Sequence, residues 1–212
     1  MGHTLVCFAL KEEAEPFRRT AAGTTEISVL ITGIGRKNTE DSFSAIIKGG
    51  PPVLVLTCGF AGALGPDLRA GDVVFSTEDT SLREKLLAAG AKHATFFCAP
   101  RIATTASEKQ ELRRRTGADA VEMESETIHV LCREQGIPCA TVRVILDTAD
   151  EDLPLDFNQL AKPDWSMDYG KLARAVAKSP GKIGALLRLQ RRTRQCAIRL
   201  GQALGAVTQS IP

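Results

Sequence analysis

Strand-like and helix-like segments alternate along this chain, and this alternation constrains the fold more than any other feature of the sequence. Residues 53–57 are apolar up to a final threonine, as in a strand that is buried on both faces. Residues 4–9, 26–32 and 139–146 are further runs with strand character. Because helix-like stretches separate these runs, the pattern predicts an α/β fold with a largely parallel sheet.

The remaining segments continue the same pattern. Shorter strands are predicted at residues 72–76 and 95–98. The predicted helices cover residues 12–19, 38–48, 82–89, 107–115 and 124–135. Residues 58–64 have mainly small side chains, and we expect a loop there.

In folds of this kind, ligands bind at the loops that follow the carboxyl ends of strands. Polar residues and glycines in such loops are therefore the first candidates for binding and catalysis. Five segments occupy these positions, namely residues 9–14, 32–36, 57–64, 121–125 and 147–150.

Length and composition narrow the possibilities further. The chain has 212 residues, 43% of them hydrophobic, so it can bury a core and is neither fibrous nor disordered. We expect a single domain over residues 1–212. No apolar run reaches the roughly 18 residues that a membrane span needs, and no secretory leader is recognisable. Six cysteines without CxxC spacing indicate reduced thiols and a cytoplasmic location.

The net charge of +2 hides an uneven distribution. Residues 169–212 contain nine Lys or Arg residues and no acid, whereas the rest of the chain has 18 basic and 25 acidic residues. Helical spacing in this basic segment predicts an apolar stripe that packs on the domain, formed by Ile183, Leu186, Leu187, Leu200, Leu204 and Val207. The basic face is either solvated or in weak contact with an anionic membrane surface. Nucleic-acid binding is not indicated, since Tyr169 is the segment's one aromatic residue and no recognised motif accompanies it.

Two acids and a glycine-containing turn occupy the first two candidate segments. Glu12 and Glu13 follow the first predicted strand, where a carboxylate either acts in catalysis or only stabilises a helix N-terminus. Gly33, Gly35 and Arg36 lie in a GxG turn before a predicted helix. Its amides and the Arg36 guanidinium suit an anion or a sugar hydroxyl, but an ordinary tight turn has the same sequence.

The third candidate segment follows the buried strand at residues 53–57. Its small side chains permit either the close approach of a ligand to the backbone or a crowded crossing of the sheet. The candidate binding residues there are Gly59, Phe60, Ala61 and Gly62.

Charged residues mark the last two segments. Glu122 and Glu124 bracket Met123 at a strand-to-helix junction, where the carboxylates either hold a diol or stabilise the helix start. Arg143 lies inside an apolar predicted strand and must find a partner if it is buried. Asp147 stands where that strand ends, before an acidic loop that is otherwise explained as solvated.

Together, these signals place carboxylates and one arginine at the ends of strands. Such a set suits cleavage of an N-glycosidic bond, in which the sugar develops positive charge, the leaving base takes a proton and water needs a base. His3, His93 and His129 lack the spacing of metal ligands, so we predict no metal.

These motifs resemble those of the purine/uridine phosphorylase superfamily, especially its methylthioadenosine/S-adenosylhomocysteine nucleosidases. The matching segments occur in the family's order at residues 9–14, 32–36, 58–64, 71–74, 121–124 and 142–147. Glu-Met-Glu followed by Arg-x-x-x-Asp is a specific combination. The resemblance implies a three-layer α/β/α sandwich with a central mixed sheet, no cofactor and a homo-oligomer, with a dimer favoured.

The resemblance also implies a role for each candidate residue. Glu13 falls where the family activates the attacking water, and Asp147 falls where it protonates the purine at N7. Glu124 falls on the residue that holds the ribose hydroxyls, with Met123 packed against the sugar. Arg143 lies near the water site and is expected to orient Glu13.

Three departures distinguish the chain from those nucleosidases. Phe60 replaces a serine common in the segment 59–62, whose residues line the sugar and the base. The connection after Ser76 is short, so we expect a more open site or one completed by a neighbouring subunit. The basic C-terminal segment and residues 153–157 are similar to the hopanoid-associated phosphorylase group, which implies a lipid-linked substrate of the adenosylhopane type.

The leading interpretation is hydrolysis of an adenine nucleoside. Phosphorolysis, with inorganic phosphate as co-substrate, is the alternative within the family, and its evident phosphate donors are Arg36 and backbone amides. A nucleoside-binding module without activity is a third interpretation, which the presence of both Glu13 and Asp147 disfavours. The sequence leaves open the 5′ substituent of the nucleoside.

Overall fold

The strands of the computed structural model form one sheet whose order along the chain follows the predicted pattern. The structure describes residues 2–21, 26–47, 49–162 and 165–209. The strands are β1 (Thr4–Phe8), β2 (Ile27–Ile31), β3 (Leu54–Ala63), β4 (Val73–Ser76), β5 (Lys92–His93), β6 (Phe96–Cys98), β7 (Ala120–Glu122) and β8 (Cys139–Asp147). Their order is β2-β1-β3-β8-β4-β5, and β7 pairs with both β3 and β6. Since β4–β8 and β3–β7 are antiparallel and the other pairs are parallel, the sheet is mixed.

Helices lie on both faces of this sheet. Among the described residues they are α1 (Lys11–Thr20), α2 (Arg36–Ile47), α3 (Thr80–Ala88), α4 (Ala106–Thr116), α5 (Ser125–Glu134), α6 (Phe157–Leu160), α7 (Tyr169–Lys178) and α8 (Ile183–Thr208). A 3₁₀ turn at Pro180–Lys182 separates α7 from α8. The helix predicted at residues 38–48 starts two residues early, and Lys48 lies outside the described residues.

The alternation of side chains along β1 shows how the three layers form. Val6 and Phe8 point into one apolar cluster, in which α1, α3 and α8 pack against the sheet. Leu5 and Cys7 point into another cluster, in which α2 and α5 cover the opposite face. Successive residues of a strand face opposite sides, so a strand that is apolar throughout can support two helical layers. The predicted α/β/α sandwich with a mixed sheet is confirmed.

Strand β3 is longer than the sequence pattern predicts. The sequence pattern predicts a loop over residues 58–64, but the strand continues to Ala63, so that prediction is wrong. Its final residues pair with β8, as Gly59 does with Arg143, and Gly62 pairs with Val121 of β7. The small side chains permit these close strand pairings, because a Cβ atom at Gly59 would lie only 2.6 Å from the Arg143 guanidinium. The glycine-rich segment is therefore part of the central sheet.

Helix α4 has well-defined ends, which fix the direction in which its side chains point. The Thr105 hydroxyl accepts a hydrogen bond from the Glu108 amide at 3.2 Å, and the Glu108 carboxylate bonds back to the Thr105 amide at 3.3 Å. This capping box satisfies amides that would otherwise lack partners at the helix N-terminus. Gly117 ends the helix with φ 70°, a left-handed conformation that favours glycine.

The basic C-terminal segment is helical, as expected, but its apolar stripe is only partly buried. Leu200, Leu204 and Val207 are buried in the cluster with α1. Ile183 and Leu187 are exposed by 44% and 49%, so the prediction that the whole stripe packs on the domain is wrong for the first half of α8. The described helices include none with the length and apolarity needed to cross a membrane.

Candidate active site

Glu13 is a buried carboxyl at the first turn of α1, immediately after β1. The Leu10 amide donates to its Oε2 at 2.9 Å, and the Phe60 amide donates to its Oε1 at 3.0 Å. These bonds connect the start of α1 with the end of β3. Burial raises the pKa of Glu13, although Arg143 and the backbone amides oppose the shift. A carboxyl whose pKa is raised by burial is a better proton acceptor than a solvent-exposed one.

Arg143 lies in the middle of β8 and is 1% exposed. Its Nη2 donates to Glu122 Oε2 at 2.5 Å and to Thr57 Oγ1 at 3.2 Å. The same nitrogen lies 3.6 Å from Glu124 Oε2. The charge of the arginine is therefore paired with buried carboxylates, and these bonds couple β3, β8 and the end of β7, while its Nε has no hydrogen-bond partner among the described residues.

Glu122 is held as a charged carboxylate. Besides Arg143, it accepts from the Ser125 amide at 2.8 Å, the Ser125 hydroxyl at 2.7 Å and the Glu124 amide at 3.1 Å. Burial favours the neutral form, but Arg143 and these donors outweigh it and lower the pKa of Glu122. With both oxygens engaged, Glu122 orients its neighbours.

Glu124 differs from Glu122 in its charge state. It lies just before α5, and burial raises its pKa to about 8, with the charges of Glu122 and Glu13 adding to the effect. Arg143 opposes the rise but is closer to Glu122. At neutral pH, Glu124 is thus largely protonated and can both donate and accept hydrogen bonds, as sugar hydroxyls require.

Two glycines of β3 lack side chains, so the side chains of Glu13, Arg143 and Asp147 can lie close to the strand. At Gly59, a Cβ atom would lie 2.9 Å from Glu13 Oε1 as well as against Arg143. At Gly62, a Cβ atom would lie 3.3 Å from Asp147 Oδ2. Glu13 and Asp147 thus contact positions three residues apart on one strand, with Phe60 and Ala61 between them. Both carboxyls therefore lie against the second half of β3.

Asp147 is 6% exposed at the end of β8 and forms an ion pair with Lys109 of α4. Burial raises the pKa of Asp147, and the Lys109 ammonium works against that rise. Lys109 Nζ also donates to the carbonyls of Thr148 at 2.8 Å and Glu151 at 2.7 Å. Sequence reasoning missed Lys109, because a lysine among the charged residues of α4 has the pattern of a solvent-exposed side chain.

Gly35 and Arg36 lie at a different part of the site. They line a cavity of about 540 Å³ together with Met123, Glu126 and Trp165. Gly35 has φ 85°, and a Cβ atom there would lie 3.0 Å from the Trp165 indole nitrogen. The Arg36 guanidinium is largely exposed and pairs with Glu40 at 2.6 Å. The structure therefore brings Gly35 and Met123 to one cavity and leaves Arg36 at its rim.

The chemistry of the cluster follows from its charge states. Within the described residues, no group of three or more His, Cys, Asp or Glu side chains is arranged to hold a metal ion. The carboxyls instead differ among themselves, since burial favours a proton on Glu13, Glu124 and Asp147 while Glu122 stays charged. Acid–base catalysis commonly uses a pair of carboxyls of which one holds a proton and the other is charged.

Comparison with known protein families agrees with the motifs. The model of the phosphorylase superfamily matches residues 81–178. A 5'-methylthioadenosine/S-adenosylhomocysteine nucleosidase of Actinobacillus succinogenes is 28% identical over 185 aligned positions, which cover 69% of this chain and 80% of that protein. An aminodeoxyfutalosine nucleosidase of Campylobacter jejuni is 26% identical and covers 63% of this chain and 73% of that protein.

Solved structures to which this chain is similar share its fold. The crystal structure of a 5'-methylthioadenosine/S-adenosyl homocysteine nucleosidase from Campylobacter jejuni superposes with a TM-score of 0.75 and covers 100% of both chains. Its sequence identity with this chain is 16%. The similarity therefore extends over the whole α/β/α architecture.

Proposed function

We propose that this chain, which is related to the phosphorylase superfamily, is an enzyme that hydrolyses the N-glycosidic bond of an adenine nucleoside. The observation that carries the proposal is the convergence of Glu13, Glu124, Arg143 and Asp147 on the glycine-containing end of β3. Such a cluster supplies a base for water, a group for the sugar hydroxyls and an acid for the leaving base. Nucleosidases are also the proteins to which the chain is similar in sequence.

In the proposed reaction, water adds to C1′ of the ribose while the bond from C1′ to the base breaks. Glu13 accepts the proton of the water, and the Leu10 and Phe60 amides hold its carboxylate in place. Asp147 gives a proton to N7 of the departing adenine. Free adenine and the free sugar are the products.

We assign the substrate contacts to side chains whose other contacts in the site leave them available to a ligand. Glu124 holds the ribose hydroxyls, and Met123 packs against the sugar from the cavity that it lines. Glu122 has both oxygens bound, so we propose that it orients Arg143 and the start of α5. Because these roles use side chains of the chain itself, we expect no cofactor, and EDTA should leave the rate unchanged.

The test is a product assay on purified chain with adenosine, 5′-methylthioadenosine and S-adenosylhomocysteine, each with and without inorganic phosphate. Hydrolysis predicts adenine and a free sugar in both buffers. Adenine and a sugar 1-phosphate formed only with phosphate would instead establish phosphorolysis. Tight binding of a nucleoside without release of adenine would indicate an inactive binding module, and release of adenine excludes it.

Hydrolysis is favoured over phosphorolysis by the position of the cations. Arg36 pairs with Glu40 at the rim of the cavity, and Arg143 is bound to Glu122. Phe60 provides no hydroxyl beside Glu13. A phosphate ion would thus have few free donors near the sugar, and phosphate ions are usually held by several charge-assisted hydrogen bonds.

We further propose that the substrate is a lipid-linked adenine nucleoside of the adenosylhopane type, reached at a membrane surface from a cytoplasmic location. The first half of α8 carries exposed apolar side chains at Ile183 and Leu187, and basic residues flank them. Each basic group near an anionic surface contributes about 1 kcal/mol of attraction, which salt screens. The free cysteines are consistent with a reducing compartment.

Sedimentation with phosphatidylserine-containing and purely phosphatidylcholine vesicles tests this contact. We expect binding to the anionic vesicles at low salt and its loss at high salt. Equal, negligible binding to both vesicles would make the basic segment a solvated cap of the domain.

We also propose a homo-dimer that completes the site. Only residues 77–79 connect β4 to α3, so the chain itself offers little cover above the nucleoside there. Light scattering coupled to size-exclusion chromatography should give twice the mass of one chain. A monomer with full activity would contradict the proposal.

A further inference from the structure

Lys109 is a fully buried cation with partners on one neighbouring segment. Its side chain is 0% exposed, and its ammonium forms an ion pair with Asp147 Oδ2 and donates hydrogen bonds to the carbonyls of Thr148 and Glu151. All three partners belong to the end of β8 and the loop that follows it.

Stability alone does not explain a buried pair of this kind. The desolvation of two charges offsets most of their attraction, and an apolar pair of similar volume is often as stable. Helix α4 is already fixed by its capping box and by Gly117. The fold of α4 therefore does not require a lysine at position 109. The position of Lys109 beside Asp147 indicates a role in the site.

Other charged groups also face Asp147. Glu151 lies on the loop that Lys109 holds, and Arg192 of α8 pairs with Glu151 at 2.6 Å. Arg192 also donates to the Leu146 carbonyl at 3.4 Å. Two cations from α4 and α8 and one further carboxylate therefore surround the Asp147 carboxyl, with Cys196 of α8 nearby.

We propose that Lys109 is a positioning residue for Asp147. The Lys109 ammonium holds one carboxylate oxygen of Asp147 and the loop after β8, so that the other oxygen can deliver the proton to the leaving base. This inference rests on the proposed function and adds a residue to it. The ammonium also sets the pH above which Asp147 has lost that proton.

The sign of the effect follows from the groups that face the carboxyl. Burial makes Asp147 keep its proton to higher pH, and the positive charge of Lys109 makes it lose the proton at lower pH. If Asp147 acts as the acid, kcat falls as the pH rises through its titration. Removal of the Lys109 charge must therefore move this alkaline limb to higher pH.

The experiment compares kcat against pH for Lys109→Met and Lys109→Arg, with 5′-methylthioadenosine as the substrate. For Lys109→Met we expect a lower plateau and an alkaline limb displaced to higher pH, because the opposing positive charge is gone. Lys109→Arg keeps the charge, so its limb should stay close to that of the wild-type chain. Lys92→Met is the matched control, because it removes a lysine from an exposed pair with Asp72.

The outcomes separate this inference from the proposed function. Absence of adenine release by the wild-type chain overturns both. Release of adenine with the same alkaline limb in Lys109→Met and wild type overturns the role of Lys109 alone, and Lys109 is then only structural.

A second variant covers the case in which Lys109→Met does not fold. Arg192 is about one-third exposed, so Arg192→Met removes a cation without emptying the core. It leaves the negative charge of Glu151 without its partner near Asp147, and we expect a smaller upward displacement of the same limb. An unchanged limb in Arg192→Met would contradict the proposed control of Asp147 by its surrounding charges.

Discussion

At the scale of single residues, the site is a set of carboxyls whose charge states are set by different neighbours. Glu122 is charged because Arg143 and three donor groups surround it, whereas Glu124 has weaker contact with the same arginine. Burial raises the pKa of Asp147, and the Lys109 ammonium beside it opposes that rise. In the proposed reaction, the same type of side chain thus serves different steps.

Replacement of Asp147 by Asn should abolish release of adenine while the fold remains intact. The amide oxygen can still accept a hydrogen bond from Lys109, but the amide cannot act as an acid toward N7. We expect kcat to fall by ~10²–10⁴-fold, with an unchanged circular dichroism spectrum. Asp150→Asn is the control, because Asp150 lies exposed in the same loop. Near-normal turnover by Asp147→Asn would show that another group protonates the base.

The raised pKa of Glu124 should be visible in the stability of the protein. An acid with a folded-state pKa of about 8, instead of the usual 4.5, holds its proton longer in the folded than in the unfolded chain. Its contribution is fully present below pH 4.5 and is lost as the pH rises to about 8. The free energy of unfolding of the wild-type chain should therefore fall relative to that of Glu124→Gln across this range. Parallel curves in urea titrations would contradict the assignment.

The sequence predicts some of these residues better than others. Glu13, Glu124 and Asp147 stand at predicted strand ends, where the α/β pattern itself points to a site, and in the structure all three are buried. Lys109 has no such signal, because its partners lie far along the chain and only the packing of α4 against the loop after β8 brings them together.

At the scale of elements, β3 is both a central strand and a wall of the site. The small residues of this strand predict a loop, since glycine favours turns when only local sequence is considered. Pairing with β7 and β8 overrides that preference. The end of β3 depends on contacts with segments that are distant in sequence. The periodicity of one segment carries no information about those contacts.

Gly59→Ala should damage both stability and activity. The new Cβ atom would lie 2.6 Å from Arg143 Nη1 and 2.9 Å from Glu13 Oε1, at a backbone φ of 151°. We expect a loss of about 1–3 kcal/mol in the free energy of unfolding, with strongly reduced kcat.

Gly90→Ala is the control for that substitution. Gly90 also has positive φ, 81°, but a Cβ atom there meets nothing within 4 Å. It should cost about 1–2 kcal/mol of backbone strain and leave kcat unchanged. Equal kcat in the two variants, measured beside urea denaturation, would contradict the close packing at Gly59.

At the scale of the whole molecule, α8 joins the basic C-terminal segment to the core. Its second half packs with α1 and the sheet, while its first half lies near the loop after β8 through Arg192. The amphipathic pattern predicts a packed helix correctly but does not tell where along its length the packing stops. That point depends on where α1 and the sheet end.

Leu204→Ala should therefore destabilise the whole fold. Leu204 is 0% exposed, and truncation of a buried leucine to alanine costs about 2–5 kcal/mol. Leu187→Ala lies on the same helix but is 49% exposed, and it should change the free energy of unfolding by no more than about 0.5 kcal/mol. Equal effects in chemical denaturation would contradict the division of α8 into a packed and an exposed half.

The transfer of oxygen from water to the sugar tests the central proposal most directly. Purified chain is incubated with 5′-methylthioadenosine in H₂¹⁸O that contains inorganic phosphate, and the products are analysed by mass spectrometry at early times. Hydrolysis predicts free adenine and a sugar that carries one ¹⁸O atom, with no sugar phosphate, and no turnover by Asp147→Asn. Formation of a sugar 1-phosphate, or recovery of the intact nucleoside, would contradict it.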